Sequence, residues 1–132
     1  MTHAIVRAFE AADLAAVHRL LACSGWSHRI HDVQHLARLI AASQRVVVAE
    51  TDGRVVGFAR AITDGISNGY LSMVVVAQDA RRQGVGRALA EEIMRGDDAV
   101  TWVLRAGREG ADAFFATLGF VGSTVAMERT RR

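Results

Sequence analysis

The chain contains no lysine and no proline, one cysteine and one tyrosine among its 132 residues. Without lysine it has no P-loop, whose last glycine must be followed by one. A lone Cys23 excludes an internal disulfide and suits a reducing compartment. With no proline, turns must be read from Gly, Asp and Asn alone. No apolar run approaches the roughly 20 residues that span a bilayer, and "MTHAIVRAFEAADL" lacks a signal peptide's charged start and apolar block. We therefore expect a cytoplasmic protein with no membrane partner. Aromatic residues make up 6%, and the 16 arginines are scattered apart from Arg81–Arg82 and the tail "ERTRR". A nucleic-acid groove needs a basic stripe with aromatic platforms, so none is expected.

What is present reads as one globular domain over 1–132: 51% hydrophobic, 23% charged, net charge +2. Arginine as the sole basic residue apart from histidine, with abundant alanine, points to a GC-rich, bacterial genome. "AIVRAF" reads as an opening strand. Asp13 is placed to cap a helix carrying Leu14, Val17, Leu20 and Leu21, which Gly25 ends. Asp32 caps a second, carrying Val33, Leu36, Leu39 and Ile40. "RVVVAETDGRVVGFARAIT" is two β-branched runs around Asp52–Gly53, the dipeptide of a type I′ hairpin. "YLSMVVV" is a further strand. Val85, Leu89 and Ile93 then form a helical stripe, with Glu91 and Arg95 set for an i,i+4 pair. "VTWVLR" reads as a strand, "GADAFFATLG" as a short helix, and "FVGSTVAMER" as one or two closing strands.

The stretch "ARRQGVGRALAEEIMR" sets glycines at 84 and 86 at a helix start, where each costs roughly 1 kcal/mol against alanine. The first turn of a helix leaves amides unpaired at its positive end. Glycine lets an anion approach that backbone, and Arg81, Arg82 and Arg87 add forked donors. The pattern suits a pyrophosphate, with glycines that merely ease strand–helix packing as the alternative. The Rossmann fingerprint fails, because its third glycine falls at Leu89.

"RRQGVG" after "YLSMVVV", together with "LRAGREGADAFFATLGF" and the order of elements, resembles the GNAT N-acetyltransferases over nearly the whole chain. The resemblance implies an α+β fold: a mixed, mostly antiparallel sheet of six to seven strands, about four helices, and splayed central strands. It implies acetyl-CoA as cosubstrate, no metal, and direct attack by a primary amine, from a small molecule or an amino terminus. Val74, Val75 and Val76 would hold the pantetheine arm. Arg81 or Arg82, with the Gln83, Gly84, Val85, Gly86 and Arg87 amides, would hold the pyrophosphate. Arg108 stands where relatives carry a CoA-contacting asparagine, and Gln78 where proline is common. It also implies a homodimer through the closing segment.

Phe115 stands where the family's tyrosine acid is expected, keeping the ring and losing the proton. That departure motivates a second reading, a CoA-binding regulatory or accessory domain. Tyr70, about 20 Å along the strand from Val76, is a candidate acid. Asp64, His28 and His31 are candidate bases, with Asp64 equally readable as a turn residue. Arg60 is a candidate for a substrate carboxylate and Trp26 for the wall of an acceptor pocket. His31 and His35 lie one helical turn apart but lack a ligand set.

Overall fold

Asp52 and Gly53 both take positive φ, 52° and 76°, so the two β-branched runs close as a type I′ hairpin. The computed structural model describes residues 3–26, 30, 32–96 and 98–132. Around the hairpin lies a five-stranded sheet in the order β1 (Ile5–Ala8), β2 (Arg45–Thr51), β3 (Arg54–Thr63), β4 (Asn68–Val76) and β5 (Thr101–Val103). All neighbours are antiparallel except β4 and β5. This is the mixed α+β architecture expected, with five strands among the described residues.

Helix α1 (Leu14–Cys23) packs on β3 and β4, and helix α2 (Val33–Ala41) packs beside it. Asp32 caps α2 as expected, accepting from the His35 amide at 2.8 Å. Asp13 behaves differently from the expected cap. It ends a 3-10 turn, Ala11–Asp13, and its carboxylate reaches back to the Glu10 amide and to Arg7. Helix α3 (Val85–Met94) lies on β2, β3 and β4 with Val85, Leu89 and Ile93 buried, the predicted stripe. Gly57 makes that seat: a Cβ there would come 2.8 Å from Leu89 Cδ1. The expected Glu91–Arg95 pair is replaced. Arg95 has left helical backbone, so it meets Glu92 at 3.2 Å while Glu91 faces Arg87.

Helix α4 (Ala111–Ala116) follows, but the closing strands do not form. Ser123 Oγ accepts the amides of Val125 and Ala126, a local turn that competes with ladder bonding. Val121, Val125 and Met127 are left exposed, and Glu128 ties the segment to Arg105 at 2.7 Å.

Candidate functional site

β4 and β5 pair over only three residues each, ending at Tyr70 and Val103. Gly69 permits even this contact, because the Trp102 ring lies where a Cβ would be, 2.5 Å from that position. Beyond Tyr70 the strands part, at a bulge: Phe58 faces Val75 and Arg60 faces Ser72, so Ala59 opposes two residues. One of those two, Met73, is forced to φ 57°, a left-handed conformation costly for a side-chain-bearing residue.

The far end of β4 therefore has a free edge. The Ala77 amide bonds to Val56 O, back toward β3. By strand alternation Val74 and Val76 turn their amides and carbonyls the other way, into the gap. Val75 is buried between them. The Val76 carbonyl is engaged by Arg81 Nε at 3.1 Å.

The loop after β4 runs directly from this edge into α3. Arg82 (φ 64°) and Gly84 (φ 81°) are both left-handed. Arg81 and Arg82 make a type II turn that returns the Gln83 amide toward Ala80 O, whereas left-handed Gly84 before right-handed Val85 has the alternation of an anion nest. Among the described residues, no amide from Gly84 to Arg87 has a protein acceptor; the next, that of Ala88, bonds Gly84 O. Four unpaired amides, Gly84 to Arg87, thus lie at the positive end of a ten-residue helix, a position that favours an anion. Arg82 and Gln83 are exposed beside it, while Arg87 bonds Thr117 O at 3.1 Å and so ties α3 to α4.

The two glycines have different reasons. Gly84 supplies the left-handed turn in open space. At Gly86 a Cβ would lie 3.0 Å from Phe114 Cζ, so this glycine seats the ring of α4. Phe115 is half-buried and edge-on to both Phe114 (4.9 Å) and Phe120 (5.8 Å). Phe114 is the contact that sequence reasoning did not single out.

Arg108 and Trp26, assigned separately from the sequence, come together. The guanidinium lies 5.5 Å from the indole centroid and donates to the Ser24 carbonyl at the end of α1. His28 and His31 lie outside the described residues. Asp64 accepts four hydrogen bonds, from the amides of Ile66, Ser67 and Asn68 and from the Ser67 hydroxyl. The Ser67 and Ile66 amides, foremost among these donors, hold its carboxyl far below the usual carboxylate range, which makes it a weak base in a well-formed turn. It shares a cavity of about 550 Å³ with Tyr70, which is half-buried. Arg60 is buried on β3, bonded to Ser43 Oγ at 3.0 Å. Among the described residues no three His, Cys, Asp or Glu cluster as metal ligands would, and no helix is long and apolar enough to cross a membrane.

The acetyltransferase (GNAT) domain model matches residues 42–122, which contain the free strand edge, the nest and α4. No curated protein matches the sequence. Among solved structures, the chain is similar to a protein of Xanthomonas campestris ascribed to the GNAT family, at 26% identity and TM-score 0.83 over 99% of this chain and 95% of that one. It is also similar to an acetyltransferase of Trypanosoma brucei, 26% identical, TM-score 0.72, covering 98% of each chain. The fold is shared with aminoglycoside N-acetyltransferase AAC(6')-Iy in its complex with CoA, at 20% identity and TM-score 0.76 over 100% of this chain and 97% of that one.

Proposed function

We propose that this chain, which belongs to the GNAT acetyltransferase family, transfers an acetyl group from acetyl-CoA to a primary amine on a small molecule or an amino terminus. The observation that carries the reading is the run of four unpaired amides, Gly84 to Arg87, in the loop and helix start that follow the free edge of β4. A helix start of this kind favours pyrophosphate, and the Val74 and Val76 edge suits the amides of a pantetheine arm, added as one more strand. The related fold that binds CoA supports the same assignment. The residues present therefore fit the cosubstrate.

Acetyl-CoA supplies a thioester that an amine attacks directly. The chain's part is to bind, orient and manage protons. Arg81 must yield or share the Val76 carbonyl that it holds. Arg82 lends charge at the nest. Arg108 and Trp26 wall the neighbouring end of α1. Phe115 holds its place in an aromatic cluster and has no proton to give, so solvent or Tyr70 protonates the departing thiolate. Asp64 is occupied by its own turn, so His28 or His31 is the base in this reading.

One observation favours a second reading, a CoA-binding module with little chemistry: the Phe115 position is filled by packing alone. Thiol release from acetyl-CoA, measured across diverse primary amines, separates the two. Release above the blank supports the transferase; CoA binding with no release for any amine supports the module. The homodimer belongs to the same proposal, through the segment exposing Val121, Val125 and Met127. A monomer mass at every concentration in sedimentation would overturn that part.

A further inference from the structure

The fold buries two charged side chains among the described residues, Asp13 and Arg60, and treats them unequally. Asp13 accepts from Arg7 Nη1 and Nη2 at 2.8 and 2.9 Å and from the Glu10 amide at 2.8 Å. That is a compensated buried charge. Arg60 is 8% exposed, yet among the described residues its one hydrogen bond runs from Nη1 to the neutral hydroxyl of Ser43. Its Nε is buried with no acceptor, and no carboxylate among the described residues pairs with it. Buried charges are normally paired, because the interior does not replace the water they lose.

What surrounds Arg60 explains its retention only in part. The Ser43 hydroxyl donates to Leu39 O at 2.7 Å, so the guanidinium looks onto the C-terminal end of α2, the negative pole of that helix. A helix end is a partial charge, and it does not reach Nε. Burial pushes the guanidinium's pKa down and Tyr70 pushes it back. An incoming anion would remove the deficit.

The location is informative. Arg60 stands opposite Ser72, beside the bulge at which β4 parts from β5, and Ile62 stands opposite Tyr70. Arg60 and Tyr70 are therefore diagonal neighbours on one face of the sheet. Tyr70 also lines the cavity of about 550 Å³, with Gln44, Asn68 and Val103. It is a shallow, open hollow, and Arg60 lies beside it, one diagonal step from Tyr70, rather than in its lining. The planar guanidinium fork matches a carboxylate in two-point contact better than any other side chain. Asp64, the acid sharing this cavity, is held within its own turn by four hydrogen bonds.

We infer that Arg60 anchors a carboxylate of the acceptor, so that the amine acetylated here belongs to a small amino carboxylate of the amino-acid type. The inference rests on the acetyltransferase reading, and binding rather than turnover tests it independently. Calorimetry at saturating CoA compares glycine, alanine, phenylalanine and glutamate with their own carboxamides. The expected result is at least a tenfold tighter affinity for one or more acids over the matching amide. Arg60→Met should reduce that ratio below twofold while CoA still raises the melting temperature. If Arg60→Met does not fold, Arg60→Lys takes its place, and a partial loss of the ratio is expected. Equal affinity for acid and amide in the wild type, binding of neither, or a ratio unchanged in the variant overturns the inference. An acid preference without any CoA binding would uphold the anchor and overturn the acetyltransferase reading instead.

Discussion

The ring of Phe114 lies over Gly86, so close that a Cβ on the glycine would come 3.0 Å from Cζ. This contact joins α4 to the first turn of α3, beside the amide nest. Gly86→Val should displace the ring and destabilise the fold by about 2 kcal/mol, as overpacking does. Combined with Phe114→Ala, the loss should fall short of the sum by at least about 1 kcal/mol, because both act on one contact. Denaturant unfolding of the four proteins checks this. Additive losses would mean the ring and the glycine are independent.

Arg7 and Asp13 give the fold a defined acid limb. Hydrogen bonding from Arg7, outweighing burial, holds the Asp13 carboxyl below its ordinary value. A lowered folded pKa stabilises above the unfolded value of about 3.9 and loses that contribution as pH falls through the folded pKa. Asp13→Asn should cost about 2 kcal/mol at pH 7, between the exposed and fully buried ranges. Its stability should also fall less between pH 5 and pH 2 than that of the wild type, where Asp64 contributes in both. Parallel acid limbs would contradict the assignment.

Phe115→Tyr returns a hydroxyl to a position that packing alone now fills. If the site lacks only a proton donor, kcat should rise about 10²-fold, the low end of what general-acid help supplies. The KM for acetyl-CoA should not move. An unchanged kcat would assign thiol protonation to solvent or to Tyr70.

The hairpin, the Asp32 cap and the α3 stripe were legible because each is written in local chemistry: positive φ at Asp52–Gly53, a side-chain acceptor, a helical period. The order of elements from β1 to α4 and the glycine-led start of α3 were legible for the same reason. The closing segment misled, because "FVGSTVAMER" has strand composition while Ser123 satisfies two of its amides locally. Asp13 misled because its partner, Arg7, sits on β1, and Glu91–Arg95 because the helix stops one residue early. The reason for Gly86 is a contact across 28 positions, to Phe114, and no local pattern encodes it. The bulge at Met73, which opens the strand edge, is likewise set by pairing with β3. Arg60 could be read as a substrate ligand, but its burial without a carboxylate is visible only once Ser43, after α2, meets β3.

On the proposed reading, the amides of Gly84 to Arg87, with the β4 edge, hold the pyrophosphate and pantetheine of CoA. Thermal unfolding with CoA, acetyl-CoA and ATP added separately tests it most directly. A ligand at 100 times its Kd adds about 2.7 kcal/mol of stability. The account predicts a shift of this order with both CoA species, each at that excess, and none with ATP at the same concentration. No shift with either CoA species would leave the four amides without their ligand and contradict that reading.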